Sequence, residues 1–150
     1  MKVGDPAPDF EAPLPDGTSW KLSGQRGKPL VLYFYPKDFT GGCTKEACQF
    51  RDAYETLNGT LKAQIVGVSR DDGVTHERFR KEHSLPFPLL PDPGGRIAKL
   101  YGATHLGGLI PLTARVTYVI DGVGVIRGIF HHEFAIGRHV KDVEACLKAL

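Results

Sequence analysis

The sequence has no hydrophobic run long enough to cross a membrane and no cluster of basic residues. Its most apolar segments, PLVLYFY (29–35) and RVTYVI (115–120), are far shorter than the roughly 20 residues of a membrane-spanning helix. The 19 lysines and arginines are scattered among 17 acidic residues, and the formal net charge is +2. We therefore expect neither a membrane nor a nucleic acid among the partners.

The first 13 residues, MKVGDPAPDFEAP, lack the features of a targeting segment. They are acidic and rich in proline, whereas a signal peptide has an apolar core and a transit peptide is rich in Arg and Ser. We expect a cytoplasmic protein, and a mature organellar form without its presequence would look the same. No repeat or linker interrupts the 150 residues, so we predict a single domain, 1–150.

Cysteine is scarce, with only Cys43, Cys48 and Cys146 in the chain. A domain of this size does not need disulfide bonds to be stable. Two neighbouring cysteines in a reducing compartment more often indicate catalysis or metal binding than a structural bridge. The first two lie in GGCTKEACQ (41–49), and their C-x4-C spacing is wider than the C-x-x-C of dithiol oxidoreductases.

Strand-like and helix-like patterns alternate along the chain. The continuous apolar runs at 28–35 and 63–69 are typical of strands that are covered on both faces. The sequence PDGT predicts the turn of an N-terminal hairpin, and Asp121–Gly124 predicts a second hairpin between later strands. Helical patterns cover 43–58, 74–83, 97–101 and the C-terminal stretch. This order predicts an α/β fold with a mixed central sheet flanked by helices and an N-terminal hairpin.

The two cysteines point in different directions if residues 43–58 form a helix. Cys43, Ala47 and Phe50 fall on one apolar stripe, which is the side expected to face the core. Cys48 lies about 140° from the centre of that stripe, on the outer face. Five helical residues separate two Cα atoms by about 8.6 Å, and a disulfide requires less than about 7 Å. A bond between the two cysteines therefore requires the first turns of the helix to unwind.

Cys43 has the better surroundings for a reactive thiolate. It lies at a helix N-terminus, where unpaired amides and the helix dipole favour negative charge. Gly41 and Gly42 let the backbone approach closely, and the hydroxyl of Thr40 can reach the sulfur or a substrate. The alternative is that Cys43 is a small core residue, since free cysteine is often buried.

The segment YPKDFTGGCTKEACQFRD (35–52) resembles the active-site signature of the peroxiredoxins, and specifically of the peroxiredoxin Q (bacterioferritin comigratory protein) branch. The shared pattern is Pro-x-x-x-Thr-x-x-Cys, with a second cysteine five positions on. The resemblance extends to VGDPAPDFEAP near the start, LPFPLLPDPGGRIAKLYG in the middle and RVTYVIDGVGVIRGIF later. One departure is Gly41, where the branch usually has proline. It loosens the loop, and we expect no loss of chemistry.

The resemblance implies a thioredoxin-like fold and a thiol peroxidase that needs no cofactor and no metal. Cys43 matches the peroxidatic cysteine, which attacks a peroxide oxygen and becomes sulfenic acid. Pro36 and Thr40 match residues that shield this sulfur and hydrogen-bond the peroxide. Arg115 matches an active-site arginine, whose fixed charge favours the thiolate and orients the peroxide. Cys48 matches the resolving cysteine.

The resemblance also implies the partners. They are peroxide substrates (hydrogen peroxide and organic hydroperoxides) and thioredoxin or a similar dithiol protein, which reduces the Cys43–Cys48 disulfide. The branch favours a monomer. Two alternatives remain: a peroxide sensor or redox relay that uses the same cysteines, and a non-enzymatic protein in which both thiols bind a metal. The diverging directions of the thiols argue against the metal.

Other polar candidates have simpler interpretations. Cys146 in the last helix is expected to pack in the core, with a resolving role as the alternative. Adjacent residues of His131–Glu133 would point to opposite faces of a strand, which argues against a metal site. His76 and His83, seven positions apart, indicate a solvated helix face. Glu46 is expected to complement the helix dipole.

Overall fold

The computed structural model describes residues 1–131 and 136–150. The strands are β1 (Glu11–Pro13), β2 (Ser19–Lys21), β3 (Leu30–Phe34), β4 (Gln64–Ser69), β5 (Leu89–Pro91), β6 (Thr104–His105), β7 (Ile110–Thr113), β8 (Val116–Ile120) and β9 (Ile126–His131). The α-helices are α1 (Gly41–Asp52), α2 (Gly73–Glu82), α3 (Arg96–Tyr101) and α4 (Ile136–Lys148). None of the helices in these described ranges is long and apolar enough to span a bilayer.

The centre of the structure is a five-stranded mixed sheet with the order β5-β4-β3-β8-β9. Strands β3, β4 and β5 run parallel, because helices α1 and α2 carry the chain back between them. Strands β8 and β9 are joined by a tight hairpin and pair antiparallel, with β8 beside β3. The predicted mixed sheet and the predicted hairpin around Asp121–Gly124 are both confirmed.

Both faces of the sheet are covered, which explains the continuous apolar run of β3. Leu30, Leu32 and Phe34 face a cluster that includes α3 and the β1–β2 hairpin. Val31 and Tyr33 face the opposite cluster, to which α1, α2 and α4 contribute side chains. Neighbouring residues of a strand point to opposite faces, so a strand buried on both faces must be apolar at every position.

The N-terminal hairpin forms as predicted. Strands β1 and β2 pair antiparallel around the turn, where the Asp16 carboxylate accepts hydrogen bonds from the backbone N–H and the hydroxyl of Thr18. Trp20 turns inward from β2 and packs against Phe10, with ring centroids 5.5 Å apart. The hairpin therefore covers part of one face of the sheet.

The structure differs from the predicted elements in helix α1, in the segment 85–95 and in the β6–β7 hairpin, for which no element was predicted. The helix predicted at 43–58 begins two residues earlier and ends at Asp52, and a wider π-helical turn follows at Glu55–Thr60. The proline-rich segment 85–95, predicted as a connection, contributes the edge strand β5. An edge strand tolerates proline because one of its sides has no neighbouring strand to receive hydrogen bonds.

Candidate active site

Cys43 lies in the first turn of α1 and faces inward, as predicted. Thr40 is the N-cap residue, with extended backbone angles, and its carbonyl accepts a hydrogen bond from the Thr44 N–H at 2.9 Å. The Cys43 side chain is 1% exposed and packs in the same core cluster as Ala47 and Phe50. All three cysteines are free thiols in this structure.

Arg115 contacts the Cys43 sulfur from the other side of the site. It immediately precedes β8, the strand that neighbours β3, and its side chain is buried. One terminal nitrogen, Nη2, donates to Cys43 Sγ at 3.3 Å, and the other, Nη1, donates to Glu46 Oε1 at 2.7 Å. Burial opposes the charge of Arg115, but Glu46 and then Cys43 outweigh it and raise the arginine pKa. A fixed positive charge therefore faces the sulfur.

The sequence led us to expect that Glu46 complements the helix dipole. In the structure it is instead the buried ion-pair partner of Arg115. It is fully buried, and its second oxygen, Oε2, lies 3.8 Å from His139 Nε2 on α4. His139 is also hydrogen-bonded to the Thr117 hydroxyl on β8. Glu46 follows Cys43 by three residues, so helix periodicity puts both on one face, and this signal could have identified it.

Pro36 and Thr40 lie in the loop that leads from β3 into α1. Pro36 is half-buried directly after Tyr35, and Thr40 is exposed. The Thr40 hydroxyl donates to the Lys37 carbonyl at 2.8 Å, which leaves its oxygen lone pairs available to accept from a ligand. The structure thus brings Cys43 and Arg115 into contact and keeps Pro36 and Thr40 in the adjoining loop.

A buried polar network anchors this loop, and sequence analysis missed it. Asp38 accepts hydrogen bonds from the Tyr35 hydroxyl at 2.5 Å and from His76 Nδ1 at 2.6 Å. His76 Nε2 lies 3.1 Å from the Leu90 carbonyl, so both ring nitrogens face oxygen acceptors. The prediction that His76 lies on a solvated face is wrong, because this side chain is only 2% exposed. The network ties the loop to α2 and β5.

The same network contains a group with the composition of a metal site within the described residues. Asp38, Asp71 and His76 each offer one ligand atom, and these atoms lie within 4.8 Å of one another. Their polar atoms already bond inside the protein, since Asp71 accepts from the Ser69 hydroxyl at 2.5 Å and from the Asp38 N–H at 2.9 Å. This arrangement is satisfied without a cation. Of the His131–Glu133 candidate, His132 and Glu133 lie outside the described residues.

Cys48 and Cys146 lie away from Cys43's contact with Arg115. Cys48 is half-buried, and its sulfur lies 3.9 Å from His83 Nδ1 at the end of α2. Cys146 is partly buried against the core cluster that contains Val31 and Tyr33. Its thiol approaches the Arg127 carbonyl at 3.7 Å, and burial raises the pKa of this thiol. Cys43 and Cys48 thus contact different elements, which matches the diverging directions predicted from the helix.

Comparison with known proteins gives consistent matches over the chain. The AhpC/TSA family model matches residues 3–129. The chain is 40% identical to rice (Oryza sativa subsp. japonica) chloroplastic peroxiredoxin Q and 42% identical to that of Populus jackii. These alignments cover 100% of this chain and 68% and 70% of the relatives.

Solved structures show the same relationship. The peroxidoxin BcpB of Mycobacterium tuberculosis is 37% identical with a TM-score of 0.89, covering 100% of this chain and 98% of that one. Peroxiredoxin Q of Xanthomonas campestris is 28% identical with a TM-score of 0.84, covering 93% and 90%. The predicted thioredoxin-like fold is confirmed by these neighbours. The chain belongs to the AhpC/TSA family and is a peroxiredoxin, a thiol peroxidase, of the peroxiredoxin Q branch.

Proposed function

We propose that this peroxiredoxin reduces hydrogen peroxide and small organic hydroperoxides with Cys43 as the attacking thiol. The observation that supports this most directly is the 3.3 Å contact between Arg115 Nη2 and the Cys43 sulfur at the first turn of α1. The thiolate attacks one peroxide oxygen, an S–O bond forms and the O–O bond breaks. The leaving oxygen takes up a proton from solvent and departs as water or an alcohol, and Cys43 becomes sulfenic acid.

The neighbouring residues have distinct proposed roles. Arg115 favours the thiolate and binds the peroxide oxygens as charge develops on the leaving oxygen. Thr40 accepts a hydrogen bond from the hydroperoxide, since its own hydrogen is directed to the Lys37 carbonyl. Pro36 shields the sulfur from water. Each of these assignments follows the family signature, and their positions around the start of α1 support it.

Cys48 is the proposed resolving cysteine. Cys43 and Cys48 lie on one continuous helix, α1, so their pairing requires part of that helix to open. The resulting disulfide is then reduced by thioredoxin or a similar dithiol protein. A peroxide sensor with the same cysteines is the alternative, and steady turnover with thioredoxin, its reductase and NADPH identifies a peroxidase.

Three substitutions test the assignment. Cys43→Ser should abolish peroxide consumption, while Cys48→Ser should consume one equivalent and then stop, because the sulfenic acid is not resolved. Cys146→Ser is the matched control and should keep full turnover. Mass spectrometry after one equivalent of peroxide should find a Cys43–Cys48 bond. Appreciable activity of Cys43→Ser would refute the function, and a bond from Cys43 to Cys146 would refute the resolving role of Cys48.

A single domain, a monomeric state and a cytoplasmic location remain predictions. The plant relatives are named chloroplastic, which leaves an organellar form open.

The β6–β7 hairpin exposes Leu106, Leu109 and Leu112, an apolar surface that sequence analysis did not identify. Light scattering at micromolar concentration tests the monomer, and a dimer mass would contradict it.

A further inference from the structure

Cys48 has a histidine beside it that the family signature does not include. Its sulfur lies 3.9 Å from His83 Nδ1, across the contact between α1 and the end of α2. The imidazole ring is a base near neutral pH, and a thiol must lose its proton before it can act as a nucleophile. The sequence led us to expect His83 on a solvated face, but the residue is half-buried and its ring is directed at a cysteine.

The protein holds this ring in place through several contacts. His83 is the C-cap residue of α2, and its N–H donates to the Phe79 carbonyl at 3.2 Å. Its ring packs edge-on against Phe79, with centroids 4.9 Å apart, and lies 6.5 Å from the Phe39 ring. The His83 carbonyl accepts from Arg51 Nη1 at 2.8 Å. Because Arg51 belongs to α1, this bond keeps the Cys48 part of α1 next to the ring.

We propose that His83 is the base that deprotonates Cys48 for resolution of the Cys43 sulfenic acid. The inference rests on the proposed function of the two cysteines. His83 in the tautomer with hydrogen on Nε2 takes the Cys48 proton on Nδ1. The thiolate electron pair forms the S–S bond with Cys43, the S–O bond breaks, and the hydroxide takes up a proton and leaves as water. The peroxide that formed the sulfenic acid is the oxidant, so no other is needed.

The electrostatic surroundings favour the separated charges. The C-terminus of α2 stabilises a protonated imidazole, and the Arg51 guanidinium next to Cys48 stabilises a thiolate. Arg51 Nε also donates a hydrogen bond to Asp52 Oδ1 at 3.0 Å, on the exposed side of α1. Other charged residues near the pair in the described part of the chain include Arg78, which lies over the Phe39 ring, the exposed Lys81 and Glu82 that precede His83 on α2, and the exposed Lys45, three residues before Cys48 on α1.

The test compares the chain with His83→Asn, which keeps a polar residue at the C-cap position of α2 but removes the base. The matched control is His105→Asn, a histidine on β6. Rapid mixing with one equivalent of hydrogen peroxide separates sulfenic acid formation, trapped with dimedone, from disulfide formation. An ordinary thiol is only a few per cent ionised at pH 7. We therefore expect His83→Asn to slow disulfide formation about tenfold at pH 7 and little at pH 10, with sulfenic acid formation unchanged.

A second measurement does not depend on peroxide chemistry. In the Cys43→Ser, Cys146→Ser background, iodoacetamide alkylates only Cys48, and its rate against pH reports the thiolate fraction. A plateau of reactivity at neutral pH that is lost in His83→Asn supports the inference. If the alkylation rate of the protein with His83 shows only a single rise with a midpoint near pH 8.5, the inference is wrong. It is also wrong if His83→Asn slows disulfide formation equally at pH 7 and pH 10. If the unmodified chain forms no Cys43–Cys48 disulfide, the proposed recycling itself fails, while the alkylation profile still decides whether His83 ionises Cys48.

Discussion

Replacing Arg115 by lysine should slow the reaction with peroxide while keeping the positive charge. The guanidinium donates through Nη2 to Cys43 Sγ and through Nη1 to Glu46 Oε1 at the same time. A lysine ammonium is a compact point charge and cannot reproduce this forked geometry. The ion pair with Glu46, at 2.7 Å and fully buried, should retain the ammonium, so the contact with the sulfur is the one that is lost.

The expected size follows from this one lost contact. A hydrogen bond to a charged group contributes about 1.5–3 kcal/mol. Since about 1.4 kcal/mol corresponds to a factor of ten in rate, Arg115→Lys should lower the second-order rate constant with hydrogen peroxide by roughly 10- to 100-fold. The free energy of unfolding should fall as well, by about 1–3 kcal/mol, because the buried acceptors that the guanidinium bonds would no longer both have a donor.

Stopped-flow measurement of peroxide consumption tests this, with urea unfolding to confirm that the variant is folded. Arg127→Lys is the matched control, because Arg127 pairs with Asp121 at 2.7 Å on the surface and lies beside the end of β8, whereas Arg115 precedes the start of that strand. The control should keep the rate within about twofold, as expected for an exposed pair. If folded Arg115→Lys reacts as fast as the unmodified chain, the helix terminus alone activates Cys43 and the reasoning about Arg115 is wrong.

Two further predictions concern stability. Burial opposes the charge of Asp121, but hydrogen bonds from backbone N–H groups of its turn and from Arg127 outweigh it and lower the Asp121 pKa. Asp121→Asn should therefore lose roughly 1–2 kcal/mol at pH 7, and this loss should shrink as the pH falls below the pKa of an unfolded aspartate, about 3.9, and vanish below the lowered folded-state pKa; a loss in urea that is no smaller at pH 3 than at pH 7 would contradict this. Gly67→Ala would bring a Cβ within 2.8 Å of the Tyr33 ring, so we expect a loss of about 1–3 kcal/mol, whereas Gly73→Ala meets nothing within 4 Å and should be neutral; similar urea midpoints for the two variants would exclude overpacking.

Sequence patterns predicted the parts of the fold that depend on a single element. The apolar run of β3, the inward direction of Cys43 and the tight turn before β9 each follow from local periodicity or turn chemistry. The short strand β5 was missed because Pro91 and the prolines that flank the strand are typical of a loop, and only pairing with β4 makes it a strand.

Side chains that meet across elements could not be predicted from periodicity. Helix periodicity predicts a solvated face for His76 and His83. It shows which face of the helix a residue is on, but not what packs against that face. Asp38, 38 positions before His76, supplies the buried partner that changes the interpretation. Arg115 was identified only through the family signature, since it lies 72 positions from Cys43 and the two are brought together by the pairing of β8 with β3.

The contacts of α1 indicate which end of the helix would open for the proposed pairing of Cys43 with Cys48. The later part is held from outside, because Arg51 donates to the His83 carbonyl and Cys48 lies against the His83 ring. The first turn is held less well as a helix. The Thr40 side chain does not cap it, and the helix begins with Gly41 and Gly42, which have a low intrinsic preference for the helical conformation. The Cys43 side chain itself is held by its contact with Arg115, and oxidation of the sulfur replaces the group that makes this contact, while the Glu46–Arg115 ion pair holds the helix one turn further along. The proposed disulfide therefore forms by movement of Cys43 out of its pocket toward a Cys48 that stays in place.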